Sequence, residues 1–141
     1  IMENLYQTTI LEHGHRPHNF GKPQTTSISR EGYNPLCGDK ISLYSSSDTS
    51  NLYLMFESVS CVICKASASL MTLTINELSI DEGLYIIDDV MNGIKNGNIN
   101  LDVFTDDISC LNEIVNYPSR INCALLPWTT AKDLIENLKH D

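Results

Sequence analysis

The first residues of the chain follow the pattern of an amphipathic helix. The positions that fall on one helical face are Met2, Leu5, Tyr6, Thr9, Ile10 and His13. This spacing predicts a helix over residues about 3–13. Gly14 and Pro17 then break the pattern, so we expect the helix to stop there and a loop to run from His15 to Gln24.

Two later segments alternate apolar and polar residues as half-buried strands do. The apolar positions are Ile41 and Leu43 in one segment, and Leu52, Leu54 and Phe56 in the other. The turn-rich stretch Ser45–Asn51 separates them, which predicts a β-hairpin. Thr25–Gly32 is a possible third strand. We therefore expect a small antiparallel sheet.

Helical spacing returns after the predicted strands. In Val62–Ile75 the small residues Ala66–Ser69 allow close packing on a flat surface, which the predicted sheet provides. Ser79 and Glu82 form a capping-box pattern that begins another helix, which ends at Asn96 and Gly97.

A last helix is predicted near the end of the chain from the apolar positions Ala131, Leu134, Ile135 and Leu138. Pro127 would clash with the carbonyl of Cys123 inside a helix, so we expect this helix to start near Leu126 or to kink. Strands that come early and helices that come late indicate an α+β fold, with a three-stranded antiparallel sheet and helices packed on one face. The length of 141 residues favours a single domain spanning residues 1–141.

Charge excludes several kinds of partner. The formal net charge is -9 and no segment is rich in Lys or Arg, which argues against binding to nucleic acid or to an anionic membrane. No apolar run approaches the ~20 residues of a membrane-spanning helix, and the first residues lack a signal-peptide pattern. We expect a soluble, cytoplasmic protein.

Five cysteines, without an export signal, favour reduced thiols over disulfides. Cys37, Cys61 and Cys123 lie at the ends of predicted elements, and Asp39 follows Cys37 closely. Three thiolates and one carboxylate match the four-coordinate preference of zinc. The alternative is three unrelated buried or surface cysteines, because no paired C-x-x-C motifs are present.

Several motifs resemble those of the SufU/IscU family of iron–sulfur cluster assembly proteins, also described as NifU N-terminal-like. They are His13-x-x-x-Pro17-x-Asn19-x-Gly21, Asn34-Pro-Leu-Cys-Gly-Asp39, Phe56-Glu57 with Cys61 and Ala66–Ser69, and Tyr117-Pro-Ser-Arg-Ile-Asn-Cys-Ala124. They occur in the family's order over almost the whole chain. The resemblance implies that Cys37, Asp39, Cys61 and Cys123 hold the metal or sulfur, and it implies an α+β fold.

The family has two branches with different functions. IscU proteins are scaffolds for a [2Fe–2S] cluster, whereas SufU proteins bind zinc and relay sulfur from a cysteine desulfurase. Asn122 stands where IscU proteins have a histidine, and the segment Asp107–Tyr117 resembles a SufU insertion. The resemblance therefore implies a zinc-dependent sulfurtransferase with Cys37 as the sulfur acceptor, a cysteine desulfurase as partner and further assembly proteins downstream. A [2Fe–2S] scaffold and a structural zinc domain are the alternatives.

Two residues near the second cysteine depart from the family pattern. Ser60 replaces a glycine, which would strain the turn if the backbone there needs a positive φ. Cys64 replaces a serine and could bind metal or pair with Cys61, but a buried residue without a role is the more common outcome. Cys110 is expected in the core.

Other polar residues are expected to lie on the surface. We expect His13, His15 and His18 in an exposed loop with a structural or partner-contact role. Lys40 and Arg120 would offset the charge of the site, contact a partner, or be ordinary surface cations. A solvated acidic face is expected from Asp81, Asp88, Asp89, Asp106 and Asp107.

Overall fold

Three antiparallel strands form the sheet, and neighbours in the sheet follow the order of the strands along the chain. The structure is a computed structural model, which describes residues 7–46, 50–99 and 106–140. The strands are β1 (Thr26–Asn34), β2 (Asp39–Ser46) and β3 (Leu54–Val59). The predicted hairpin and the possible third strand are confirmed, and part of the predicted turn lies outside the described residues.

Strand β2 shows why the sheet has one apolar face. Ile41 and Leu43 are fully buried, whereas Lys40 between Asp39 and Ile41 is exposed. Because side chains of a strand alternate between its faces, Asp39 points to the same side as Ile41 and Leu43. The first residue of β2 thus brings a carboxylate to the edge of the buried layer.

The described residues include four α-helices, namely α1 (Thr8–His15), α2 (Val62–Ile75), α3 (Ile80–Asn96) and α4 (Pro118–His140), and α2 and α4 contact the strands. Helix α2 is the central one, because 11 of its residues are buried. The predicted capping box at Ser79 and Glu82 is present, and Gly97 ends α3 with φ 74°. The α+β fold is confirmed. Within the described residues, no helix has both the length and the apolar character needed to cross a bilayer.

A 3₁₀ helix (Asp106–Asn116), which was not predicted, connects α3 and α4. Most of this helix lies in the segment Asp107–Tyr117, which resembles a SufU insertion. Ile108, Leu111 and Ile114 are buried and recur at the three-residue spacing of a 3₁₀ helix.

The end of α1 was predicted wrongly, because Gly14 lies inside the helix and His15 ends it. Residues 1–6, where the predicted helix would begin, lie outside the described residues. Gly14 is buried against the start of α2: a Cβ there would collide with the Val62 side chain and lie 3.0 Å from the Val62 carbonyl oxygen. This glycine allows two helices to approach closely and does not stop the first one.

The start of α4 was also predicted wrongly. The helix begins at Pro118, which suits the first helical position, and runs through Pro127. Cys123 therefore lies inside the helix and not before it. Pro127 removes one backbone hydrogen bond, but packing of the buried Ala124 and Trp128 on the core outweighs that local cost.

A buried hydrogen-bond chain fixes α4 against α2. The Trp128 indole N–H donates to Ser67 Oγ at 2.9 Å, and the Ser67 hydroxyl donates to the Ala124 carbonyl at 2.6 Å. The Ser67 hydroxyl reaches a helix carbonyl directly, which is possible because small residues bring α2 close to its neighbours. The chain ends one residue from Cys123, so it fixes the part of α4 that carries this thiol.

Gly14→Ala is expected to lower the free energy of unfolding by about 1–3 kcal/mol, because the new methyl group collides with the Val62 side chain and presses on the Val62 carbonyl at 3.0 Å. Glu12→Ala, at an exposed position of the same helix, is the control and should change stability by less than about 0.5 kcal/mol. Urea unfolding of both variants measures the difference. Equal stabilities would contradict the close helix contact.

Candidate metal and sulfur site

The turn between β1 and β2 carries Cys37. Gly38 adopts φ 76°, a conformation that favours glycine, and its N–H donates to the Asn34 carbonyl at 2.8 Å. Asn34 and Asp39 then pair across the two strands. This tight turn leaves Cys37 exposed.

Asp39 is the most heavily bonded residue of the site. Its side chain is nearly inaccessible, with the residue 2% exposed. One carboxylate oxygen accepts the Cys61 backbone N–H at 2.8 Å, and the other accepts the Cys37 thiol at 2.9 Å. Burial alone would raise the pKa of this carboxyl, but hydrogen bonds from the Cys37 thiol and the Cys61 N–H lower the pKa below its ordinary value. Asp39 is thus held as a carboxylate.

Cys61 is the N-cap of α2, as expected from its position between strand and helix. Its Sγ accepts the Cys64 backbone N–H at 3.5 Å and lies 3.7 Å from the nearer Asp39 oxygen. The helix N-terminus favours a negative charge on this sulfur. Ser60 does not have the positive φ that would strain a residue replacing glycine. Among the described non-glycine residues, positive φ occurs at Asn19 and Glu77.

Cys123 reaches the site from α4 and is fully buried. Its Sγ lies 3.2 Å from the Cys37 Sγ. Burial, with the hydrogen bonds to Cys37 and Asp39, raises the pKa of the Cys123 thiol. Without a cation to stabilise the thiolate, this thiol keeps its proton.

Three of the four candidate donor atoms lie close enough together to bind one cation. Zinc that binds sulfur at about 2.3 Å places neighbouring sulfurs about 3.8 Å apart. The ligand atoms of Cys37, Asp39 and Cys123 all lie within 4.8 Å of one another, and Cys61 Sγ borders the Asp39 carboxylate. The structure thus brings three of the four predicted residues into one cluster and places the fourth beside it.

The remaining two cysteines are buried in the core, Cys110 away from the cluster and Cys64 one helical turn after Cys61. Burial raises the pKa of the Cys64 thiol, and it raises the pKa of Cys110 to about 12. Cys64 contributes its backbone N–H to the Cys61 cap. Both positions agree with the expectation of core residues.

His13 is not in an exposed loop, which corrects the expectation for this histidine. It is 6% exposed, its Nδ1 lies 2.8 Å from Ser69 Oγ, and its Nε2 lies 3.2 Å from an Asp107 oxygen. It therefore connects α1 with α2 and the 3₁₀ helix. His15 and His18 are exposed, as expected.

The acidic residues partly match the expected solvated face. Asp88 pairs with Lys132 and Asp81 with Lys139, both in exposed surroundings. Lys40, beside Asp39 in sequence, lies 3.8 Å from a Glu31 oxygen. The side chain of Asp106 lies outside the described part of the chain.

Asn34 contacts the site but was not selected as a site residue from the sequence. Its side-chain amide donates to Cys37 Sγ at 2.9 Å. Its place three residues before Cys37, within the quoted motif, is the signal that could have indicated this role.

Comparison with known sequences identifies the family. Residues 5–124 match the NifU-like N-terminal domain model. The chain is 28% identical to the iron–sulfur cluster assembly scaffold protein IscU of Thermotoga maritima, over 98% of this chain and 97% of that protein. It is 35% identical to the zinc-dependent sulfurtransferase SufU of Bacillus subtilis, over 90% of this chain and 86% of that protein.

Solved structures of related proteins have the same fold as this chain. A protein of Fervidobacterium islandicum, named as an iron–sulfur cluster assembly scaffold protein for the SUF system, is 26% identical with a TM-score of 0.83, over 93% of this chain and 96% of that one. A NifU-like N-terminal protein of Brucella abortus has a TM-score of 0.85 at 21% identity, over 99% and 98%, and supports the fold. The chain belongs to the NifU-like N-terminal domain family, which includes the SufU and IscU iron–sulfur cluster assembly proteins.

Replacement of single cysteines by alanine should separate metal ligands from core residues. We expect the wild type, Cys64→Ala and Cys110→Ala to retain about one zinc per chain, and Cys61→Ala and Cys123→Ala to retain less than about half an equivalent, because a tetrahedral site loses a ligand only in the latter two. Elemental analysis after purification without chelator measures this. Loss of zinc in Cys64→Ala but not in Cys61→Ala would move the site along α2.

Proposed function

We propose that this protein is a zinc-dependent sulfur acceptor in iron–sulfur cluster assembly. It takes sulfur from the persulfide of a cysteine desulfurase and passes it to a downstream assembly protein, in the reducing environment of the cytoplasm. The observation that carries the proposal is the exposure of Cys37 at the edge of a buried donor cluster. A partner can reach this thiol, whereas Cys123 is closed off.

Cys37, Asp39, Cys61 and Cys123 would hold the zinc ion. When bound, zinc stabilises the thiolate forms of the cysteines at neutral pH. The Cys37 thiolate attacks the terminal sulfur of the donor persulfide: a bond forms between Cys37 Sγ and that sulfur, the donor S–S bond breaks, and the donor cysteine leaves as a thiolate. Asp39, Cys61 and Cys123 keep their positions because separate elements hold them.

The surface around Cys37 suits a protein partner. Leu36, beside Cys37 in the turn, is 84% exposed, and Val59 is 80% exposed. Tyr33 and Val59 both pair with Lys40 across the sheet, and Tyr33 is also largely exposed. Exposed apolar side chains that cluster on a surface are typical of interaction sites. They support docking of the desulfurase at the mouth of the site.

The second candidate is a scaffold for a [2Fe–2S] cluster, which the protein would carry as cargo. Two of the curated relatives are named as IscU scaffolds, and thiolates are the usual ligands of such clusters. The acceptor role is preferred because the relative with 35% identity is named a zinc-dependent sulfurtransferase and because Asn122 stands where IscU proteins have a histidine. A purely structural zinc site is less suitable, since it would leave the exposure of Cys37 unexplained.

Cys37→Ala should abolish the stimulation of a cognate cysteine desulfurase, since Cys37 is the exposed thiol of the site, whereas Cys123 is buried and Cys61 is only partly accessible. Cys110→Ala, which removes a buried thiol away from the cluster, should stimulate as the wild type does. Asp39→Ala should bind metal more weakly while the acceptor thiol stays present. Alanine release from cysteine measures the stimulation.

The same assay with Fe²⁺ under anaerobic conditions distinguishes the two candidates. The acceptor role predicts faster alanine release with little lasting absorption in the visible range. Strong and lasting cluster absorption in the wild type, without acceleration of alanine release, would contradict the acceptor role and favour the scaffold.

A further inference from the structure

The Asn34 side chain faces two sulfur atoms of the site from one side. Asn34 ends β1 and is only 7% exposed. Its amide nitrogen donates to Cys37 Sγ at 2.9 Å and also faces Cys123 Sγ at 4.0 Å. Because the two sulfurs lie only 3.2 Å apart, they are on the same side of the amide, and one N–H is directed at Cys37 Sγ with Cys123 Sγ beside it.

The orientation of this amide is fixed by the turn. The Asn34 side-chain oxygen accepts the Leu36 backbone N–H at 3.2 Å. A flipped amide would place its NH₂ against that N–H and its oxygen against the two sulfurs, which are electron-rich when ionised. The Asn34 backbone carbonyl is engaged as well, with the Gly38 N–H. The amide N–H is therefore directed at Cys37 Sγ by the local chain.

We infer that Asn34 is a positioning residue of the metal and sulfur site, whose amide N–H holds the Cys37 sulfur beside that of Cys123 and withdraws part of its negative charge. This inference rests on the proposed function. Three thiolates and one carboxylate carry more charge than one divalent zinc ion offsets. The amide supplies part of the compensation without a full positive charge, and Lys40 lies close to Glu31 instead.

The amide has a second effect on Cys37 during sulfur transfer. Cys37 lies on a turn and is exposed, so its sulfur has few packing contacts to hold it. The N–H···S bond keeps the sulfur near Asp39 and Cys123 while the thiolate faces the partner. Hydrogen bonds to metal-bound ligands of this kind typically change metal affinity 10–100-fold.

Asn34→Asp and Asn34→Ala test the role, with Asn76→Asp as the matched control. Asp at position 34 keeps the oxygen that accepts the Leu36 N–H and removes the donor to sulfur; Ala removes both and adds no charge. Asn76 spans the Leu54 N–H and carbonyl at 2.7 and 3.0 Å, away from the site. The control thus loses an equally well-bonded amide donor without changing the sulfurs.

Each protein is loaded with Co²⁺ alone, and its sulfur-to-cobalt charge-transfer band is recorded. Loss of the N–H···S bond raises the energy of the sulfur electrons, so both position-34 variants should show the band at lower energy than the wild type. Zinc affinity, measured by chelator competition, should fall about 10–100-fold in both variants. Asn76→Asp should keep the wild-type band and affinity even if it is less stable.

An unchanged band with zinc affinity within twofold of the wild type in Asn34→Ala would overturn the inference, and so would an equal shift in Asn76→Asp. If Asn34→Asp does not fold, Asn34→Ala decides alone. Failure of the wild type to stimulate a desulfurase would contradict the proposed function. The cobalt spectra and the zinc affinities would still test the role of Asn34, because neither measurement uses a desulfurase.

Discussion

The carboxylate of Asp39 connects the parts of the molecule that meet at the site. It belongs to the sheet, accepts a hydrogen bond from the turn through Cys37, and accepts another from the N-terminus of α2 through Cys61. A buried carboxylate without hydrogen-bond donors would destabilise the folded protein by several kcal/mol. The folded state therefore requires the Cys37 and Cys61 donors. The constraint holds the turn between β1 and β2 against the N-terminus of α2 before any metal binds.

The position of Cys123 at the site also requires close packing around α2. The small residues of this helix allow the Trp128–Ser67–Ala124 chain to form, and Gly14 allows α1 to lie against Val62. Cys123 reaches the site only because α4 is fixed in this way. The geometry of the thiols thus depends on helix contacts that are remote from them in sequence.

The sequence was sufficient to predict the sheet, α2, α3 and the identity of the clustered residues, because alternation, a capping box and short motifs are local signals. It misplaced the ends of α1 and α4, since Gly14 and Pro127 are locally unfavourable in helices and only packing makes them acceptable. The 3₁₀ helix was missed because its period is neither that of a strand nor that of an α-helix. The burial of His13 depends on partners 56 and 94 residues away, which no local pattern contains.

Cys61 both caps α2 and borders the donor cluster. The same sulfur atom therefore affects the folding of the first turn of α2 and the loading of the site. A change at that sulfur alters the first turn of the helix on which most of the core packs. By thermodynamic linkage, the free energy of loading the site is also free energy of folding, and an emptied protein is expected to loosen first at the N-terminus of α2. The occupancy of the site is thus coupled to the rigidity of the core. A partner that is sensitive to this rigidity can distinguish the loaded protein from the empty one.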